Sequence, residues 1–169
     1  MSGKAIGKNF DLGYQGNVSR NRDSIIVAKA VKENTDTILF GQAVVLNEDN
    51  TIQKIGESNT EQQCIGVAVR EVKQATDYIS SAGAYEPGDA CSILTRGTVT
   101  VCCNHGTPKA GGKVYVRIKE NTAIPNGVIG EFEAEEDTGN TLELSNVVFT
   151  TGQLDRNHIA EITILTRKA

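Results

Sequence analysis

Short runs in which apolar and polar residues alternate, each bounded by turn-forming residues, limit this chain to a β-rich fold. In residues 113–118, Val and Ile alternate with Lys, Tyr and Arg, a period of two that predicts a strand with one buried and one solvated face. No window long enough for a helix keeps its apolar residues at helical spacing. Many short strands separated by turns predict an all-β fold, a small β-barrel or β-sandwich of the jelly-roll or tulip-like kind.

Residues 43–55 carry the clearest local signal, that of a β-hairpin. An apolar run at 43–46 is followed by turn-forming residues at 47–50 and by a second apolar run at 51–55. Similar runs occur at residues 25–27, 65–69, 99–103, 142–148 and 160–164. We expect one β domain over residues 24–169, because no linker or repeat divides it and a chain of 169 residues is long enough to bury a core.

The segment 1–23 differs from the rest because it is rich in Gly and shows no sustained periodicity. Three large apolar side chains are scattered through it, those of Phe10, Leu12 and Tyr14. A segment of this composition cannot bury much of its own surface, so we expect an extended N-terminal arm. Two interpretations remain, a frayed terminus and an arm that lies on a neighbouring subunit. The three apolar side chains favour the second.

A long connection between two predicted strands, residues 72–89, is the other unusual segment. It carries Tyr78 and Tyr85 among small and polar residues, and it closes with Pro87-Gly88, which suits a type II turn. Loops of this length inside a compact domain are usually functional or disordered. Tyrosine offers a large contact area with few rotatable bonds, which suits a protein interface. The alternative is a loop folded back so that its tyrosine rings cover the core.

Catalytic motifs are absent from the sequence. The two histidines, His105 and His158, stand apart from any motif, there is no G-x-S-x-G elbow, and Gly-Gly-Lys at 111–113 lacks the spacing of a phosphate-binding loop. The acidic residues within 131–137 lack the ligand spacing of a Ca²⁺ loop, so we interpret them as a solvated strand edge. These patterns predict a protein that is not an enzyme and uses no metal or cofactor.

The cysteines and the overall charge exclude further classes of function. Cys64, Cys91, Cys102 and Cys103 form no C-x-x-C pair, and we interpret them as small buried residues that stay reduced. The formal net charge of −4 argues against a nucleic-acid partner. No apolar stretch approaches the ~20 residues that cross a bilayer, and no signal peptide is visible. We therefore expect no membrane association and synthesis in a cytoplasm.

Six stretches of strand-and-turn sequence are informative because of their order along the chain. They are GNVSR at 16–20 with Asp23, GVAVREV at 66–72, YEPG at 85–88, LTRGTV at 94–99, GTPKAGGKVYV at 106–116 and DRNHIAEI at 155–162. In this order they resemble the capsid cement, or decoration, proteins of tailed bacteriophages, although that family often has Gly where this chain has His158. The resemblance implies a small β-barrel or β-sandwich without a cofactor. Such proteins sit as oligomers on the outer capsid surface and lock neighbouring major capsid protein subunits together.

The expected assembly follows from that role, whereas the contact residues are predicted from the residues themselves. Closed cyclic symmetry suits sites on capsid symmetry axes, so we expect a homotrimer at three-fold and quasi-three-fold positions, with a dimer as the alternative. The protein would be made in the cytoplasm of the bacterial host and end on the outer surface of the virion. From residue type and expected exposure, we expect partner contacts at Phe10, Leu12, Tyr14, Arg20, Arg22, Tyr78 and Tyr85.

Two other functions stay open at this stage. The first is a carbohydrate- or receptor-binding β module on a phage surface, which needs a platform of exposed aromatic side chains. The second is a small β-barrel enzyme, which needs His105 or His158 within hydrogen-bond reach of a carboxylate. The spacing of these residues along the chain offers no support for such a pair.

Overall fold

The computed structural model describes residues 11–70 and 83–167, without the side chain of Asn21. Within these residues the chain forms eleven β-strands, a 3₁₀ turn at Glu61–Gln63 and no α-helix. The strands are β1 (Val18–Ala30), β2 (Ile38–Leu39), β3 (Ala43–Leu46), β4 (Ile52–Lys54), β5 (Cys64–Ala68), β6 (Ala84–Tyr85), β7 (Ala90–Cys102), β8 (Lys113–Arg117), β9 (Phe132–Glu133), β10 (Thr141–Leu154) and β11 (Ile159–Ile164). The predicted all-β class is confirmed. No helix in the described part of the chain is long and apolar enough to span a membrane.

Most of these strands form one antiparallel sheet that curls into a half-barrel. Its order is β4-β3-β5-β7-β11-β10-β8-β9, with β1 also paired to β7, while β2 and β6 form a separate two-stranded sheet. The predicted hairpin is confirmed, since β3 and β4 pair through Val45 and Gln53. Its turn is closed by the Asn50 N–H, which donates to the Asn47 carbonyl at 3.1 Å.

The central strands bury apolar side chains on both faces of the sheet. Successive residues of a strand point to opposite faces, so Val45 and Leu94 belong to the larger apolar cluster while Val44 and Ile93 belong to the smaller one. Tyr85, from the two-stranded sheet, packs in the smaller cluster. Each fully buried aliphatic side chain contributes about 1.5–3 kcal/mol. Burial on both faces is therefore what holds the half-barrel together.

The cysteines are mostly part of this packing. Cys64, Cys91 and Cys103 are buried and Cys102 is half-buried. The interpretation as buried residues is confirmed for the first three. The thiol of Cys102 donates to Asn104 Oδ1 at 3.1 Å, so this sulfur faces a polar environment.

The predicted solvated face of β8 is wrong for two of its three residues, because Tyr115 and Arg117 are buried and only Lys113 is exposed. Tyr115 is 7% exposed and Arg117 is 0% exposed. The chain between β8 and β9 passes over Arg117 so closely that a Cβ on Gly127 would lie 2.2 Å from its Nε. The guanidinium then donates to Glu133 Oε2 at 2.9 Å and to Asp137 Oδ2 at 3.0 Å. These carboxylates make the burial of the charge possible.

The interpretation of the acidic run as a solvated strand edge is likewise wrong for two of its members. Glu133 is 1% exposed and Glu131 is 7% exposed, whereas Glu135 and Glu136 are exposed. Glu131 accepts a hydrogen bond from Asn104 Nδ2 at 2.5 Å. Burial raises the pKa of Glu131, although the Asn104 hydrogen bond works against that increase. The two inward glutamates are buried because polar partners from elsewhere in the chain, Asn104 and Arg117, meet them there.

β1 begins within the segment that we expected to be an arm. Its register with β7 shifts between Arg20 and Ile25. There the chain passes over Gly97, where a Cβ would lie 3.0 Å from the Cα of Ser24. Gly97 has a φ of 121°, which residues other than Gly rarely adopt. Residues 18–23 are thus already part of the sheet, while the division of the chain into an arm and a domain stays a prediction.

Candidate partner-binding surface

The N-terminal segment, defined as residues 11–20, is held by its backbone on β7 and on the end of β5. The Gly16 N–H donates to the Thr100 carbonyl at 2.7 Å, and the Thr100 N–H donates to the Asn17 carbonyl at 3.0 Å. On the other side, the Arg70 N–H donates to the Gly16 carbonyl at 2.7 Å. Backbone groups satisfied in this way give the segment a fixed path. The described part of the expected arm is therefore docked on its own chain.

Asp155, in the turn between β10 and β11, anchors the start of the N-terminal segment. Its Oδ2 accepts the Leu12 N–H at 3.0 Å, and its Oδ1 accepts the N–H groups of Asn157 and Ile159 at 2.8 and 2.9 Å. Burial raises the pKa of Asp155, but the backbone donors together outweigh it, so the pKa lies below its ordinary value of 3.8. The Leu12 side chain is half-buried.

Glu161 of β11 anchors the end of the N-terminal segment. Its Oε1 accepts the Ser19 hydroxyl at 2.7 Å and the Arg20 Nε–H at 3.2 Å. The Glu161 side chain is 8% exposed, whereas that of Arg20 is 64% exposed. Arg20 therefore binds Glu161 through its Nε–H, and the rest of its guanidinium points outward. Arg22 is exposed as well.

Tyr14 is the most exposed large hydrophobic side chain in the described residues, at 68%. The guanidinium carbon of Arg70 lies 4.9 Å from the centroid of the Tyr14 ring and 5.8 Å from that of Phe40. Attraction between a cation and the faces of aromatic rings favours this arrangement. The Thr100 hydroxyl fixes the backbone beneath, since it donates to the Tyr14 carbonyl at 2.7 Å.

The expected exposure of Tyr85 is wrong. Its side chain is 0% exposed, its ring meets Phe40 edge to face at a centroid distance of 5.2 Å, and its hydroxyl donates to the Val69 carbonyl at 2.7 Å. The ring is buried because β6 pairs with β2 and folds back over the smaller cluster, as the alternative interpretation of the loop held. Two other expected contact residues, Phe10 and Tyr78, lie outside the described residues.

Sequence reasoning did not select Arg70 as a contact residue. It follows an alternating run, where one outward polar residue is ordinary, and nothing in the local pattern points to Tyr14 or Phe40. These rings come from chain positions 56 and 30 residues away, that is 70 minus 14 and 70 minus 40. Only the fold brings the three side chains together.

Among the described residues, neither histidine forms a catalytic pair with a carboxylate. His105 Nδ1 lies 3.8 Å from Glu133 Oε2, beyond hydrogen-bond reach, and this nitrogen is buried without a partner. Glu133 is already bound by Arg117. Within residues 11–70 and 83–167, no group of three His, Cys, Asp or Glu side chains is arranged to hold a metal ion.

An open groove of ≈ 580 Å³ runs beside β4 and the residues after β8. Two ion pairs stand along it, Lys54 with Asp36 at 3.3 Å and Lys119 with Glu57 at 2.8 Å. Both lysines of the groove are thus matched by carboxylates of the same chain.

The described residues thus form an all-β module whose N-terminal segment carries exposed side chains. Comparison with known families is specific: the XM1 gp53 minor capsid protein family matches residues 3–164, and the chain belongs to this family. A chain from the solved structure "The capsid of Myoviridae Phage XM1" is similar over 99% of both chains, with a TM-score of 0.72 and 17% identity. At that identity the likeness shows the fold alone. No curated protein matches the chain. The resemblance to phage capsid-associated proteins is confirmed.

Proposed function

We propose that this chain is a structural, non-enzymatic component of a phage head. It binds the outside of the capsid and stabilises contacts between major capsid protein subunits. Membership of a minor capsid protein family supports the capsid as the place of action. One observation carries the binding role: the N-terminal segment is fixed on the sheet and presents Tyr14 and Arg20 to the exterior, with the exposed Arg22 two residues after it.

The energetic case for this role rests on pre-organisation and on copy number. A segment that is already ordered loses less conformational entropy when it binds. Many copies that each bridge several subunits multiply modest contacts, because each further contact is made at high effective concentration. A small β domain with a rigid outer surface suits this task.

We propose a homotrimer at three-fold and quasi-three-fold positions, with a dimer as the alternative. Closed symmetry lets each copy offer the same surface to equivalent capsid subunits. Light scattering of the purified protein measures its oligomeric state in solution, and a cryo-EM map of decorated heads measures it on the capsid. A monomer in both settings would contradict this part of the proposal.

The described residues that we propose as capsid contacts are Leu12, Tyr14, Arg20 and Arg22. Purified protein added to undecorated heads should sediment with them and raise the temperature at which they release DNA. The double variant Tyr14→Ala/Arg22→Gln should bind about tenfold more weakly or worse, because aromatic and arginine side chains dominate protein interfaces. The matched control is Lys119→Gln, which removes one charge in the groove. If the unchanged protein fails to bind heads, the proposed function is wrong.

A carbohydrate-binding role is less well supported. Such a role needs a platform of exposed aromatic rings. In the described part of the chain, Tyr14 is the single strongly exposed aromatic residue, and Phe40, Tyr85 and Tyr115 are buried. The capsid role is therefore the one that we propose.

A further inference from the structure

Arg70 stands out among the arginines because its guanidinium is flanked by rings rather than paired with a carboxylate. In the described residues, Arg20, Arg96, Arg117 and Arg156 each form an ion pair with an Asp or Glu. The exposed Arg70 instead lies over Tyr14 and Phe40, and no carboxylate in the described part of the chain pairs with it.

The backbone holds both members of the exposed pair in place. The Arg70 N–H donates to the Gly16 carbonyl at 2.7 Å, and the Tyr14 carbonyl accepts the Thr100 hydroxyl at 2.7 Å. Beneath them, Phe40 is 5% exposed and packs on Tyr85. A guanidinium held against aromatic rings has less freedom to lose when it binds.

We propose that Arg70 is the centre of a carboxylate-binding surface, with Tyr14 as its aromatic neighbour. The occupant is an Asp or Glu side chain of the major capsid protein. This inference rests on the proposed capsid role and names the chemistry of the contact. Arginine offers two parallel N–H donors that match the two oxygens of a carboxylate, and the flanking rings shield that pair from water on one side, which strengthens it.

Two other occupants fit the surface less well. A nucleic-acid backbone requires several cations side by side, whereas the neighbours of Arg70 here are aromatic. A second copy of this chain, docked about a two-fold axis that passes through Arg70, would bring Arg70 against its own equivalent, because the residues on such an axis face themselves. Like charges at that position oppose the contact. Neither objection applies to a carboxylate of a capsid subunit.

The first experiment measures binding of variants to undecorated heads by co-sedimentation. Arg70→Gln should bind at least tenfold more weakly, and Arg70→Lys should recover only part of the loss because lysine lacks the planar pair of donors. Arg96→Gln is the matched control, since it removes the same charge from an exposed arginine outside this surface, and it should bind like the unchanged protein. Thermal unfolding of each variant shows that the fold is retained.

The second experiment identifies the partner group. A carbodiimide joins a lysine amine to a carboxylate in direct contact with it, so Arg70→Lys bound to heads should yield a cross-linked peptide. Mass spectrometry should place the other end on an Asp or Glu of the major capsid protein. A cross-link to another copy of this chain overturns the proposal in favour of self-association.

The two proposals fail in different ways. If the unchanged protein does not bind heads at all, the proposed function is wrong. If it binds, but Arg70→Gln binds with the same affinity and Arg70→Lys gives no cross-link to the capsid protein, only the carboxylate-binding surface is wrong. A loss of binding in Arg96→Gln equal to that in Arg70→Gln also overturns it, because the effect would then be one of general charge.

Discussion

The backbones of Gly16 and Gly41 are in direct contact where the N-terminal segment crosses the turn between β2 and β3. A Cβ on Gly16 would lie 2.9 Å from the Gly41 nitrogen, and a Cβ on Gly41 would lie 3.0 Å from the Gly16 nitrogen. Their φ angles are 81° and 83°, which Gly adopts at no steric cost. This approach lets the backbone of the segment reach both Arg70 and Thr100. Two glycines thus set the position of the surface that we propose for binding.

Replacing Gly16 by Ala should detach the N-terminal segment and destabilise the protein. The new methyl group meets backbone on the opposite side and requires a left-handed conformation, which together should cost about 2–4 kcal/mol. Urea unfolding measures the loss of stability, and limited trypsin digestion measures how fast the chain is cut after Arg20 and Arg22. Both readouts should change together.

Gly139→Ala is the control for that prediction, because Gly139 has a similar left-handed φ but no neighbour that an added methyl group would meet. Gly139 has a φ of 82°, and nothing lies within 4 Å of the Cβ that it would gain. It should cost only the conformational part, about 1–2 kcal/mol, and leave the digestion rate unchanged. Equal losses in the two variants would show that the contact between Gly16 and Gly41 does not matter.

Removing the buried cation should be among the most damaging changes. Arg117→Met leaves Glu133 buried without its ion-pair partner, which should cost about 3–5 kcal/mol in urea unfolding. The double variant Arg117→Met/Glu133→Leu should be less destabilised than the sum of the two single variants. Lys113→Met is the control, because its pair with Glu143 is exposed and should contribute little to stability. Additive losses in the double variant would contradict the coupling.

The features that could be predicted from sequence are those fixed by neighbours along the chain. The β3–β4 hairpin is one, because residues 43–55 contain both strands and their turn. The burial of Arg117 could not be predicted in this way, because its carboxylate partners belong to a segment that folds back over β8. In the candidate site, Tyr14 is exposed as expected, whereas Arg70 and Tyr85 depend on neighbours from distant strands. Local periodicity carries no information about such partners.

Tyr85 offers a test of its corrected, buried placement. Tyr85→Phe removes the hydroxyl that donates to the Val69 carbonyl and leaves that acceptor without this donor, which should cost about 1–3 kcal/mol. Tyr115→Phe is the control, because its hydroxyl has no hydrogen-bond partner in the described residues, and it should change stability by no more than about 0.5 kcal/mol. Urea unfolding of the two variants provides the comparison. If Tyr85→Phe leaves the free energy of unfolding unchanged, the Tyr85 hydroxyl is hydrated in the native protein and does not depend on the Val69 carbonyl.

Asp155 should make the protein less stable in acid. Its folded pKa lies below the ordinary value of 3.8, so its stabilising effect is complete above that value and is lost as pH falls through the folded pKa. Asp155→Asn keeps one acceptor oxygen but turns an amide N–H₂ toward the Leu12 N–H. It should therefore lower stability at pH 7 and reduce the further loss on acidification. Urea unfolding at pH 7 and pH 3 tests this, and an equal acid loss in both proteins would contradict it.

The thiol of Cys102 should react slowly although it is only half-buried. Burial raises its pKa to about 12, and the negative charge of Glu131 adds to the effect. The thiolate is the reactive form, so at pH 8 only a fraction on the order of 10⁻⁴ is available, against roughly a quarter for a free cysteine. Iodoacetamide labelling followed by fragmentation mass spectrometry should show slow modification in the native protein and fast modification in urea. Glu131→Gln should speed the native reaction, because it removes a charge that opposes ionisation; an unchanged rate would mean that burial alone protects the sulfur.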